Sequence, residues 1–123
     1  MVNALHTILI VDDQPGQRHE LVELLRPYGY VVIGECSDGQ DALEKVHSLR
    51  PTACIIDVTL RNTDALTLMA RMRRYYPETT LFATAMPSQA QLAMEALTRG
   101  AVDILLRPFG RRTVVNILSR HLR

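Results

Sequence analysis

Five short apolar runs alternate along this chain with segments whose apolar positions recur every three or four residues. The runs are Thr7–Val11, Tyr30–Ile33, Ala53–Ile56, Thr80–Ala83 and Val102–Leu106. They are rich in β-branched residues and bounded by turn residues or charge, which predicts short strands buried on both faces of a parallel sheet. The intervening segments carry helical stripes. Leu21, Leu24, Leu25 and Tyr28 share one face; Ala42, Leu43, Val46 and Leu49 share a second; Leu66, Met69 and Met72 share a third. Ala90, Ala93, Met94 and Leu97 form a fourth stripe, and Val114, Ile117 and Leu118 a fifth. Pro15 suits a first helical turn, and Asp38 and Ser88 are candidate caps for the second and fourth helices. Gly29 and Gly100 stand where helix ends favour a left-handed residue.

Strands alternating with helices predict an α/β fold with a doubly wound, five-stranded parallel sheet and five helices. Right-handed crossovers leave few topologies. The flavodoxin-like order 2-1-3-4-5 sets the first strand beside the third. That order matters because of where the acids fall. Asp12 and Asp13 end the first apolar run, and Asp57 ends the third. Parallel strands share their carboxyl ends on one edge, where ligands bind. Three carboxylates converging there repel one another unless a cation joins them, so the pattern reads as a hard-metal site and reaction centre.

Composition narrows the picture further. The 123 residues suit one domain, spanning 1–123, with a single core. A net charge of +1 gives no electrostatic case for nucleic acid or an anionic membrane. The cations are thirteen Arg and the single Lys45. Cys36 and Cys54 lie in or beside strand-like runs and read as buried free thiols, which fits a reducing compartment. The start of the chain lacks a signal-peptide pattern, and no apolar run approaches membrane-spanning length. The expected location is cytoplasmic. His6, His19, His47 and His121 show no metal spacing, and Arg71, Arg73 and Arg74 read as a solvated helix end.

Ile10-Val11-Asp12-Asp13, Ile55-Ile56-Asp57, Thr84-Ala85, Gly100-Ala101-Val102-Asp103 and Arg107-Pro108-Phe109, in that order at successive strand ends, resemble the receiver domain of bacterial two-component response regulators. The resemblance spans essentially the whole chain. It implies that a sensor histidine kinase or a phosphotransfer protein passes a phosphoryl group to Asp57. It implies Mg²⁺ as cofactor, held by Asp12, Asp13, Asp57 and the backbone carbonyl of Thr59. Thr84 would turn toward the phosphoryl group in the active state, and Arg107 falls at the family's conserved cation. The implied role is a binding switch rather than a turnover enzyme. Its partners would be a downstream protein target or a linked output domain, with a possible homodimer through the fourth helix, fifth strand and fifth helix.

Three departures from the pattern stand out. Arg107 takes the place of the family's Lys and is planar and bulkier than an ammonium. Ile104 stands where an aromatic is common and cannot swing in the same way. The loop Val58–Ala65 lacks the usual Pro and Gly, so a different backbone path is expected. Met86, two residues after Thr84, is a candidate for tuning water access or for filling space. Lys45, in the second helix, cannot stand in for the missing Lys. The Arg107-Pro108 bond is a candidate cis peptide.

The competing reading is a phosphorylation-independent interaction module on the same fold, favoured by Arg107 and Ile104 and opposed by the intact Asp12, Asp13, Asp57 and Thr84. A haloacid-dehalogenase-type phosphohydrolase wants a second acid where Thr59 stands. A flavin or nucleotide module wants a Gly- or Ser/Thr-rich loop where this chain has Asp12-Asp13-Gln14-Pro15-Gly16.

Overall fold

A computed structural model describes residues 6–122. Five strands form one parallel sheet: β1 (Thr7–Val11), β2 (Val31–Cys36), β3 (Ala53–Asp57), β4 (Thr80–Ala85) and β5 (Ala101–Leu106). Their order is β2-β1-β3-β4-β5, the doubly wound topology expected. The helices are α1 (Pro15–Leu25), α2 (Gly39–Leu49), α3 (Ala65–Tyr75), α4 (Ala90–Thr98) and α5 (Arg111–His121).

Alternation along each strand divides the apolar residues between two cores. Ile8, Ile10, Ala53, Ile55 and Phe82 point to one face, where Leu21, Leu24 and Leu25 of α1 and Val114 and Leu118 of α5 cover them. Leu9, Val11, Cys54, Ile56, Leu81 and Ala83 point to the other, under Val46 of α2, Leu68, Met69 and Met72 of α3, and Ala93 and Ala96 of α4. This double coverage explains runs that read as continuously apolar.

Asp38 caps α2, its side chain accepting from the Asp41 N–H at 2.9 Å. Gly29 (φ 85°) is left-handed after the short 3₁₀ turn that follows α1. Gly100 (φ 123°) is also obligatory for space, since a Cβ there would sit 2.9 Å from Cβ of Arg73. The Arg107-Pro108 bond is cis. Cys36 and Cys54 are free and buried, as expected.

Several expectations need correction. Ser88 caps nothing. It lies within a 3₁₀ turn, Pro87–Gln89, where the Gln89 side chain accepts from the Met86 N–H at 2.8 Å. Tyr28 leaves the α1 face because the helix gives way at Arg26 to the Pro27-containing turn, and it is exposed. In α4 the buried positions are Ala93 and Ala96, whereas Met94 and Leu97 face outward. Leu49 is likewise exposed. β2 starts one residue later and runs three further than expected. Glu35, which looks like the end of a strand, pairs with Ile10.

Among the described residues, no helix is long and apolar enough to cross a membrane.

Candidate functional site

The sheet itself aims the site. Val11 pairs with Ile56 and Asp57 with Thr84, so the ends of β1, β3 and β4 are level. Backbone bonds carry this order one step past the strands. The Asp12 N–H donates to the Cys36 carbonyl (2.9 Å), Val58 N–H to Thr84 (3.0 Å) and Arg107 N–H to Ala85 (2.9 Å). Each candidate side chain therefore leaves a backbone that is already fixed. The helices switch faces between β1 and β3, and this is where the crevice opens.

Asp12, Asp57, Thr84 and Arg107 are all buried there. Arg107 forks between two acids. Its Nη2 donates to Asp12 Oδ2 at 2.7 Å and its Nη1 to Asp57 Oδ1 at 2.7 Å. Nη1 also reaches Thr84 Oγ1 at 3.1 Å, and the Thr84 hydroxyl donates to Asp57 Oδ1 at 2.9 Å. The other Asp57 oxygen, Oδ2, accepts from the Thr59 hydroxyl (2.8 Å) and the Thr59 N–H (3.1 Å). A carboxylate has about four acceptor positions. Those of Asp57 are all engaged.

Sequence expectation placed Thr59 at the site through its carbonyl. The structure brings the Thr59 amide and hydroxyl onto Asp57. An Asp followed two residues later by a hydroxyl residue closes this local turn naturally. Asp13 parts from the other two acids. Its Oδ2 accepts from the Arg61 N–H at 2.8 Å and lies 3.5 Å from Arg61 Nε.

Residues that the sequence reading left out complete the setting. Gln14 N–H donates to Asp12 Oδ1 at 2.8 Å, the same two-residue turn that Thr59 makes. Arg18 Nη1 donates to the Asp12 carbonyl, while its Nε meets Glu35 at 3.3 Å. The Phe109 ring lies 4.9 Å from the Arg107 guanidinium carbon, a cation–π distance. Arg18 stands one turn into a helix predicted to begin at Pro15, which is the signal that could have placed it at this edge. Lys45 bonds Asp41 and the Glu35 carbonyl, outside the cluster. Ile104 packs partly buried against the core beside α4, and Met86 is exposed.

Burial pushes the Asp12 carboxyl above the ordinary carboxylate range. The Gln14 N–H opposes the rise, Asp57 adds to it, Arg107 opposes it and Asp13 adds to it.

The donor chemistry of three carboxylates suits a hard cation, but their arrangement does not. Among the described residues, no three His, Cys, Asp or Glu side chains are gathered to hold a metal ion. The hydrogen bonds give the cause: Arg107 takes one oxygen each from Asp12 and Asp57, and the Arg61 amide takes one from Asp13. Mg²⁺ does not fit this set of side-chain positions.

Comparison with known proteins agrees with the fold and shows the family. The family model for the response regulator receiver domain matches residues 8–119. Chemotaxis protein CheY of Thermotoga maritima is 28% identical, covering 92% of this chain and 94% of that protein. The transcriptional regulatory protein PdtaR of Mycobacterium tuberculosis is 34% identical over 83% of this chain and 49% of its own length. Among solved structures, the signal receiver domain of an HD domain-containing protein from Pseudomonas fluorescens superposes with a TM-score of 0.87. It is 26% identical and covers 98% of this chain and 88% of its own.

Proposed function

Since this chain belongs to the response regulator receiver domain family, we propose that Asp57 is its phosphoacceptor and that phosphorylation switches its partner binding. The observation that carries this is the placement of Asp57: a buried carboxylate at the switch-point edge, with a cation and a hydroxyl on the same oxygen.

The donor is a phosphohistidine of a sensor histidine kinase or phosphotransfer protein. An Asp57 oxygen attacks phosphorus, an O–P bond forms, the P–N bond breaks, and the imidazole leaves with the bonding pair and takes up a proton. The product is an acyl phosphate. The difficulty is that an anion approaches an anion. Arg107 supplies a fixed, buried positive charge and the Thr84 hydroxyl a donor at one oxygen of the attacking carboxylate, and the Thr59 N–H and hydroxyl are donors at the other. Each must exchange its carboxylate bond for one to the phosphoryl group. The new group brings about 1.5–2 negative charges. The Thr84 and Arg107 bonds then differ between the two states, and differential contacts are what bias a two-state equilibrium.

Receiver domains generally bind Mg²⁺ at their acidic site, and Asp12, Asp13, Asp57 and the Thr59 carbonyl are the expected ligands here. Since the side chains seen do not fit it, the steps above are assigned to the chain's own residues. The role is that of a switch.

Partner binding is assigned to the face made by α4, β5 and α5. Met94, Leu97 and Leu106 are exposed there, beside a groove of about 460 Å³. A kinase or phosphotransfer protein, a target or output domain, and a second copy of the chain are the classes of partner this reading admits.

The test is intact mass after incubation with a small acyl phosphate, with and without Mg²⁺, for the wild type and Asp57→Asn. One added phosphoryl group that Asp57→Asn lacks is the expected result. No addition to the wild type, even from a phosphorylated kinase, would move the assignment to a phosphorylation-independent interaction module. The full engagement of the Asp57 oxygens is the observation that favours that second reading.

A further inference from the structure

Receiver pockets are described by their acids; this one is organised by its arginine. We propose that Arg107 is a built-in counter-cation that closes the acidic pocket to divalent metal, so that an ion binds only once the guanidinium has released Asp12. The inference goes beyond phosphorylation and stands whether or not Asp57 accepts a phosphoryl group.

The geometry carries it. A cation bridging Asp12 and Asp57 takes one oxygen from each. Arg107 holds one oxygen of each, Asp12 Oδ2 and Asp57 Oδ1, at 2.7 Å, and the remaining oxygens accept from the Gln14 N–H and from Thr59. Lysine carries one compact charge, whereas the planar guanidinium presents separate nitrogens and reaches two carboxylates at once. Chain-specific packing fixes the pose. The Arg107 amide is tied to Ala85, the guanidinium lies over Phe109, and the residue is only 7% exposed.

The electrostatics point the same way. Two buried carboxylates facing each other need positive charge between them, and Arg107 brings it without any ion. Asp13, the third acid, is engaged by the Arg61 amide and faces its side chain. An incoming ion would have to displace a buried cation whose other side-chain bond is to Thr84 Oγ1. Arg107 Nε already lacks a hydrogen-bond partner, so releasing either acid leaves more of the guanidinium unsatisfied. Metal and arginine therefore compete for the same two carboxylates.

Calorimetric titration of Mg²⁺, and of Mn²⁺ as a second probe, into the intact chain tests this with no phosphoryl donor present. Failure of Asp57 to accept phosphate thus leaves the result untouched. Thermal unfolding in chelator and in excess Mg²⁺ is the second readout. The wild type should bind Mg²⁺ weakly, with a melting temperature that chelation does not move. Arg107→Met should melt lower in chelator, regain stability with Mg²⁺, and bind the ion at least about tenfold more tightly, the equivalent of one charge-assisted hydrogen bond. Arg107→Lys, which keeps the charge and loses the fork, should fall between them, and it carries the comparison should Arg107→Met not fold. Wild-type affinity equal to or above that of the variants would overturn the proposal. So would a wild-type chain that loses stability in chelator and regains it with Mg²⁺.

Discussion

Arg107 and Asp12 stand 95 residues apart in the chain and 2.7 Å apart in the fold, both buried. Such a pair is weak evidence for net stability, because desolvating two charges offsets their attraction. Breaking it is a different matter. Arg107→Met leaves Asp12 and Asp57 facing each other without a cation, which should cost about 3–5 kcal/mol in chelator. Asp12→Asn removes one of the repelling charges. The double variant should therefore be more stable than the sum of the two single losses by about 1–3 kcal/mol. Urea unfolding of the four proteins measures the coupling, and simple additivity would show that the two residues act independently.

Gly39 opens α2 against the loop after β3, and the contact leaves no room. A Cβ at Gly39 would lie 2.5 Å from Cγ2 of Thr63, while the Gly39 N–H donates to Thr63 Oγ1 at 2.8 Å. Gly39→Ala should destabilise by about 1–3 kcal/mol, as overpacking does. Thr63→Ser removes the clashing methyl and keeps the hydroxyl acceptor. The pair Gly39→Ala with Thr63→Ser should recover most of the loss in chemical denaturation. No recovery would mean that the cost lies in the backbone of the helix start.

Much of this was legible from the chain because buried parallel strands leave a plain mark. Ile8–Val11 and Ala53–Ile56 are apolar without alternation and each ends in acid, so strand, topology and the edge carrying Asp12 and Asp57 follow together. What was not legible depends on side-chain choices among several partners. Asp13 could join Asp12 or turn to Arg61, and nothing local decides between them. The fork of Arg107 needs β1, β3 and the segment after β5 all in place, and no window of sequence contains it. Helix α4 hid its packing face for another reason. It is apolar on more than one side, so periodicity offered Met94 and Leu97 beside Ala93, whereas packing against the sheet buries the small Ala93 and Ala96. The second apolar run ends at Ile33, yet the ladder with β1 holds Gly34 and Glu35 in the strand.

The two thiols should be inert in the native state. Burial pushes Cys36 up to about 12 and Cys54 well above the ordinary thiol value. Both side chains lie in the core on the α2–α4 face of the sheet. The reactive form is the thiolate, so alkylation at mildly alkaline pH should wait for opening of the structure and then proceed at both sites. Mass spectrometry of native and denatured samples gives the comparison. Rapid stoichiometric labelling of the native chain would contradict the packing described for β2 and β3.

Asp64 joins the loop after Asp57 to α3, and its charge is what makes it a good cap. Oδ1 accepts from the Leu66 and Thr67 amides at 3.0 and 3.4 Å, and Oδ2 from the Thr67 hydroxyl at 3.0 Å. These bonds, the Thr67 hydroxyl foremost, hold the carboxyl below its ordinary value of 3.8. A depressed carboxyl binds its proton more readily unfolded than folded. Its contribution is thus full above the unfolded value and is lost as pH falls from there through the lower folded value. Asp64→Ala should cost about 1 kcal/mol near neutrality, the usual worth of a cap. The gap between wild type and variant should begin to narrow near pH 3.8 and shrink further below it. Thr67→Val should raise the Asp64 titration midpoint seen by carboxyl NMR, whereas Asp64→Ser should cap without the acid dependence. A wild-type to Asp64→Ala gap that stays constant from neutral to strongly acid pH would show that the cap draws nothing from ionisation.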